Sequence, residues 1–375
     1  MRCCLMTVCL FFGVVAGQLC EPALGVPPAS SKPASQQSAA VLDGAARLAL
    51  VVTAAKALEA GYYSPAMGRR MATHIEENRQ RGKYDRLTQG ADFARQLTDD
   101  LQAVAQDKHV ALVFERGGFA GQSAPHNTPA LDVLAFENYG IAAAERLDGN
   151  VGYLKIDYFL EAERTSPVLA AAMTFLARTD ALIIDLRDSG GGDSRAVASV
   201  VSYLVEGGPL PVNTFDIRWD SPIVRRKADK ICQMATTWTT VVPERYGAAK
   251  PVFVLTSTYT FSASEEFAYA LQALKRATVV GAVTRGAANP GGLEVLNADF
   301  ALFVPWGRAV NPITKTNWEG IGVQPHLKVA GKRAFAVAYE RALGAVARAA
   351  DHPQKKEQLA EAIARRASVE RKACH

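Results

Sequence analysis

Residues 251–275 read PVFVLTSTYTFSASEEFAYALQALK, and the fold turns on how this stretch divides. Val252 to Leu255 form an apolar run rich in β-branched residues, the pattern of a buried strand. A few polar residues follow, and a helix is predicted from Ser262. Ser262-Ala263-Ser264-Glu265 has the spacing of a capping box, in which the serine serves the third helical N–H and the glutamate reaches back to the cap. A serine at a strand-to-helix turn is also where α/β enzymes expose a nucleophile. The unpaired N–H groups of the first helical turn carry partial positive charge and favour a developing oxyanion. Cap and nucleophile demand similar geometry, so on these residues alone both readings stand.

A second stretch, ALIIDLRDSGGGDSRAVASVVSYL (181–204), sets Gly190, Gly191 and Gly192 between an apolar strand and a helix. A glycine run lets the backbone turn sharply and aim N–H groups at an anion or a carbonyl oxygen. No GK[ST] follows and no GxGxxG is present, which speaks against a nucleotide site. Asp185 and Arg187, flanking the turn, are placed to pair with each other. A third stretch, residues 286–327, is punctuated by Gly, Asn and Pro turns and carries Glu319 directly after Trp318.

Outward from these stretches, the texture is that of a mixed α/β chain. VALVFE (110–115), VGYLKID (151–157), ALIIDL (181–186), PVFVLTS (251–257), ATVVGAV (277–283) and FALFV (300–304) read as strands, with helices near 167–178, 195–206 and 262–275 between several of them. Short apolar strands alternating with helices predict a largely parallel sheet covered on both faces. Upstream, Leu48/Val51/Val52/Ala55, Met67/Met71/Ile75 and Phe93/Leu97/Leu101/Val104 make three apolar helix faces, hence a helical bundle over 41–106. Residues 107–150 read as a connecting β segment, 151–330 as the core, and 331–375 as a closing helix with a charged tail.

The N-terminus, MRCCLMTVCLFFGVVAGQLC, has an early Arg, about a dozen apolar residues and small residues beyond, the layout of a secretory signal over 1–25. Its apolar run is short for a membrane span. A Pro/Ser/Gln-rich linker follows over 26–40. Cys3, Cys4 and Cys9 would leave with the signal, and Cys20, Cys232 and Cys374 show no paired spacing, so neither a disulfide framework nor a zinc site is expected. The net charge of +5 is modest and the basic residues are scattered until the tail, which gives no case for nucleic acid.

Taken together, LIIDLRDSGGG, TFSASEEFAYALQALKRATVVG, GAANPGG and FVPWGRAVNPITKTNWEGIGVQP, in that order and spacing, resemble the C-terminal-processing (tail-specific) serine peptidases. The likeness is to the branch of tricorn core protease and interphotoreceptor retinoid-binding protein, and it continues upstream in LTDDLQAVAQDKHVALVF. It implies a crotonase/ClpP-like ββα spiral core behind an N-terminal helical domain. It implies Ser262 as nucleophile, with Ser257 at a strand end and Ser264 inside the helix as poorer candidates. It implies oxyanion donors from Ala263 and from Gly190 or Gly191, and a substrate-side place for Gly192 and Asn289, although Asn289 also suits a left-handed turn.

The chain departs from the tail-specific pattern in two ways. The region about 25 residues beyond Ser262 reads TRGAANPGG and has no Lys, and Arg285 stays protonated and does not serve as a base. Residues 116–150 are too short for a PDZ domain. The tricorn-like branch instead implies a histidine base, for which His109 in the Asp-Lys-His motif is the first candidate, with Glu319 as its acidic partner. The expectation is an exported serine peptidase acting on peptides or proteins, with no cofactor, metal or nucleic acid and no stable membrane span after signal removal. The alternative is a binding protein for apolar ligands or peptides on the same scaffold; an acyl-CoA-type hydratase fits less well, because it needs no serine nucleophile.

Overall fold

A computed structural model describes residues 42–121 and 131–372, and the structural statements below concern these. The signal and linker predicted over 1–40 lie outside the described residues. Helices α1 (Gly44–Gly61), α2 (Pro65–Gln80) and α3 (Gly90–Ala105) come first, followed by strand β1 (Ala111–Phe114) and the short helix α4 (Leu131–Phe136). Then follow β2 (Ile141–Leu147), β3 (Val151–Ile156), α5 (Ala162–Leu176), β4 (Ala181–Asp185), α6 (Ser194–Leu204) and β5 (Pro211–Ile217). Next are α7 (Pro222–Arg226), α8 (Ala228–Cys232), β6 (Thr236–Trp238), β7 (Val252–Thr256), α9 (Ala263–Ala273) and β8 (Thr278–Gly281). The chain closes with β9 (Gly291–Val295), β10 (Phe300–Pro305), β11 (Gly307–Val310), β12 (Leu327–Lys328), α10 (Gly331–Ala349) and α11 (Pro353–Lys372).

The central sheet has the order β12-β8-β7-β4-β3-β2, parallel throughout except for the antiparallel β2–β3 pair. Alternation along the strands sorts side chains between two cores. Leu182 and Ile184 of β4 face a core with Leu176, Val197, Val201 and Phe267 from α5, α6 and α9. Ala181 and Ile183, on the other side, meet Phe335, Ala338 and Tyr339 of α10. A sheet sandwiched this way needs apolar residues at every position of its inner strands, which is why β4 and β7 are buried along their whole length.

Helices α1 to α3 pack around a separate core that also takes Val110 and Leu112 and, from β10, Phe300, Leu302 and Val304. The sequence places their starts: Asp43 accepts the Ala46 N–H at 2.8 Å, and Ser64 caps α2 ahead of Pro65. The buried face of α1 is Leu50, Val51, Ala54, Ala55 and Leu58. The predicted face is corrected accordingly, since Leu48 is exposed; α1 is apolar nearly all round, so periodicity leaves its inward side open. β1, β10 and β9 form one three-stranded antiparallel sheet, and β11, β5 and β6 another. Six of the twelve strands, β2, β5, β6, β9, β11 and β12, go beyond the six read from the sequence. β2 is largely alanine and β9 starts with two glycines, so neither carries strand propensity of its own.

Among the described residues no PDZ-like module stands between the helices and the core, and no helix is long and apolar enough to cross a membrane. Cys232 is an exposed free thiol.

Candidate active site

β4 and β7 are hydrogen-bonded neighbours, so the loops leaving their C-terminal ends meet. One is the Gly190–Gly192 turn, the other the turn into α9. Ser262 stands at the α9 N-terminus with φ 54° and ψ −122°, a conformation that costs a non-glycine residue roughly 1–3 kcal/mol. Ser262 and Glu265 close the capping box, the carboxylate accepting the Ser262 N–H at 2.9 Å. Glu265 is held in turn by Thr284 Oγ1 (2.5 Å) and by the N–H groups of Gly286 (2.6 Å) and Ala287 (3.0 Å). Ser262 is therefore a cap. Its Oγ also lies 3.0 Å from His109 Nε2, with the serine partly open to solvent. Ser257 and Ser264 are engaged elsewhere, with the Arg187 carbonyl and with Ser189 Oγ.

Gly191 is buried against the serine. A Cβ added there would lie 2.7 Å from Ser262 Cβ, 2.9 Å from the Phe261 carbonyl oxygen and 3.0 Å from the Ala263 nitrogen, at a φ of +102°. Neither the Ala263 nor the Gly191 N–H meets an acceptor among the described residues. The Gly190 N–H instead donates to the Asp157 carbonyl at 3.2 Å. The expectation for Gly190 as an oxyanion donor is thereby corrected: the turn has already spent that N–H on the β3 exit. Gly192 is exposed, and a Cβ added there would lie 1.9 Å from the Phe159 carbonyl oxygen at a φ of +136°. Below the turn, Asp185 pairs with Arg187 at 2.7 Å and accepts the Tyr153 hydroxyl at 2.8 Å.

His109 arrives from the other sheet, on the turn between α3 and β1. Its ring lies between Phe261 (centroids 4.8 Å apart) and Phe303 (5.7 Å). Burial, opposed by the charge of Asp107 and assisted by that of Arg285, pulls its pKa down to about 4, so the imidazole is neutral at pH 7. Its Nδ1 is buried and has no partner.

Beside His109 are two carboxylates. Asp107, almost fully buried, accepts the His109 N–H (2.9 Å), the Tyr62 hydroxyl (3.0 Å) and the Asn289 amide (2.9 Å). Glu319 accepts the Ala288 (2.5 Å) and Asn289 (3.2 Å) N–H groups through Oε2, whereas its Oε1 is buried without a partner. Burial first, then the negative charge of Asp107, pushes Glu319 up to about 8. Asp107, His109 and Glu319 each offer one ligand-type atom within 4.8 Å of the others, so this is also where a cation could be held.

The structure thus brings together Ser262, Ala263, Gly191, His109 and Glu319. Asn289 is buried and its φ is not left-handed, which corrects the turn alternative; its side-chain amide donates to Asp107, and the residue lines the cleft beside Glu319. His326 accepts the Val279 N–H at 2.9 Å and has a structural part at the β8 edge. The sequence reading missed the parts of Asp107 and Tyr62. Asp107 lies two residues before His109, and an aspartate so placed can accept the N–H two residues on, the Asx-turn signal.

This layout, an open parallel sheet with a serine and a glycine turn at the ends of adjacent strands, is that of serine hydrolases of the ββα spiral type. The model of peptidase family S41 matches residues 150–329, and that of the N-terminal domain of peptidase S41 in eukaryotic IRBP matches residues 37–135. Together the matches cover well over half of the sequence, and the chain belongs to peptidase family S41.

Among solved structures it is similar to a photosystem II D1 C-terminal processing protease, with 20% identity over 60% of this chain and 49% of that one at a TM-score of 0.38. It is also similar to a candidate peptidase from Parabacteroides merdae, with 16% identity over 80% of this chain and 95% of that one at 0.51. A third is tricorn protease, with 12% identity over 80% and 36% at 0.46. The chain spans about half the length of the D1-processing protease and shares its fold with the Parabacteroides protein.

Proposed function

We propose that this chain is an exported serine peptidase that cleaves peptide bonds through an acyl-enzyme on Ser262. The observation that carries the reading is the 3.0 Å approach of Ser262 Oγ to His109 Nε2, made by a strained residue at a helix N-terminus. His109, neutral at pH 7, takes the hydroxyl proton at Nε2 as Oγ attacks the carbonyl carbon, and returns it to the leaving amine. The Ala263 and Gly191 N–H groups receive the oxyanion, each worth roughly 3 kcal/mol of the barrier. The exposed backbone at Gly192 borders the substrate chain.

The imidazolium formed during attack needs an acceptor for its Nδ1 proton. Glu319, which has a carboxylate oxygen within 4.8 Å of a ring nitrogen of His109 and whose Oε1 is buried without a partner, fills that part, while Asp107 holds the His109 backbone through the N–H at 2.9 Å. Glu319 must be ionised to accept, so its raised pKa sets the alkaline onset of activity. Peptides or proteins are the substrates, and no step calls for a metal or organic cofactor. Export follows from the apolar N-terminal run with its small-residue cleavage points.

A fluorophosphonate probe tests the reading. Wild type labels covalently and Ser262→Ala does not, while His109→Gln slows labelling by about two to four orders of magnitude. Absence of labelling in the wild-type protein would move the chain to the binding-protein reading.

A further inference from the structure

Basic side chains stand beside the candidate site, and the exposed acid on its glycine turn, Asp188, is already paired with Lys155 at 3.0 Å. The Arg285 guanidinium carbon lies 4.5 Å from the centre of the Phe261 ring. The Phe261 ring, on the residue before Ser262, is tilted against that of His109 with centroids 4.8 Å apart, so Arg285 packs on the aromatic group that borders the candidate base. The Arg285 backbone is pinned at both ends: its N–H donates to the Thr260 carbonyl at 3.1 Å, and its carbonyl accepts the Lys108 ammonium. Both side chains are exposed, and neither makes an ion pair with a carboxylate among the described residues. On the other side of His109, a cleft of about 160 Å³ beside Glu319 is lined by Arg308, Lys315 and Tyr63. The carboxylates around the site, Asp107, Glu265 and Glu319, are turned inward to backbone and side-chain donors.

A guanidinium stacked on an aromatic face keeps its N–H edges free in one plane, the arrangement that takes a carboxylate in a two-pronged grip. A core or crevice arginine finds its acid within the protein; Arg285 is fixed in place and left without one. We propose that Arg285, with Lys108 beside it, recognises a carboxylate on the substrate within a residue or two of the scissile bond, so that the site selects acidic peptides. This rests on Ser262 as the nucleophile. The carboxylate comes from an Asp or Glu side chain.

Two measurements test it. In the first, a synthetic peptide mixture of balanced composition is digested by wild type, Arg285→Gln and Arg285→Glu, and the cleavage sites are read by mass spectrometry. Wild type should enrich Asp and Glu at one position flanking the cleaved bond. Arg285→Gln should lose that enrichment, and Arg285→Glu should replace it with Lys and Arg, a gain that an unfolded variant does not produce. Cleavage confined to bonds near a free C-terminus, abolished by amidation and indifferent to Asp or Glu, overturns the proposal.

In the second, fluorescein-labelled peptides differing only as Glu or Gln are bound to Ser262→Ala by anisotropy. The Glu form should bind about tenfold tighter, less so at high salt, and the difference should vanish in Ser262→Ala/Arg285→Gln. Cleavage without acid enrichment, or enrichment that survives Arg285→Gln, overturns the proposal. Should nothing be cleaved, the nucleophile reading fails, and the binding measurement alone decides: equal affinity for the two peptides overturns the carboxylate site.

Discussion

Replacing Gly191 by alanine should abolish most activity while leaving the protein folded. Carbon atoms in ordinary contact stand about 3.5–4.0 Å apart, yet the new methyl would lie 2.7 Å from Ser262 Cβ. Relief therefore requires the serine or the turn to move by about 1 Å, and a misplacement of that size costs about a hundredfold in rate. The Ala263 nitrogen, 3.0 Å from the same position, moves with it. Weakening one oxyanion donor costs a further factor of about 10²–10³. Together these effects predict that kcat/KM falls by about 10⁴.

Stability should fall by about 2–5 kcal/mol, the combined cost of a left-handed φ at a non-glycine residue and of local overpacking. The assay pairs the rate of fluorophosphonate labelling with urea denaturation. Gly190→Ala is the control: nothing lies within 4 Å of a Cβ built there, and the labelling rate should stay within about threefold of wild type. Wild-type labelling by Gly191→Ala, or equal damage from Gly190→Ala, would refute the assignment of Gly191 to the oxyanion site.

The rate of peptide cleavage should rise with pH through a limb near pH 8, because Glu319, pushed up to about 8, is neutral below that point and accepts the Nδ1 proton only when ionised. A kcat/KM profile with a single limb near pH 4 would place the control on His109 instead. Asp107→Asn removes the charge that helps raise Glu319, so the limb should move to lower pH, with a stability loss of about 1–3 kcal/mol from the disturbed Tyr62 and Asn289 hydrogen bonds; an unmoved limb would break the link.

Glu266, buried under the glycine turn with Ser194 donating to it at 2.6 Å, is raised to about 8 by burial. Its folded pKa exceeds the unfolded one, so its proton is fully retained below the unfolded value and stability declines as pH climbs towards 8. At pH 7 the cost is roughly 3 kcal/mol, and Glu266→Gln should flatten the pH dependence of urea unfolding. A slope unchanged in that variant would assign the pH effect to other groups.

Much of the core was legible because its determinants are local. The β7-to-α9 turn carries its own cap, and apolar strands of five or six residues announce a doubly covered sheet. Leu48 shows the limit, since a helix apolar on several sides does not say which side is buried. Alanine- and glycine-rich β2 and β9 became strands because neighbouring strands supplied their hydrogen bonds.

Family resemblance singled out Ser262, His109 and Glu319, but geometry separated Gly191 from Gly190 and tied the Asn289 amide to Asp107. By itself, the sequence determined which loops are tight, which helix ends are capped and which segments are buried, since these depend on residues within a turn or two of one another. Only the tertiary structure decided that a histidine 153 residues before the serine meets its hydroxyl, with the ring desolvated between two phenylalanines. That meeting depends on β1 pairing with β10 while β7 lies beside β4, and long-range strand pairing sets distance and dielectric in ways that no local window contains.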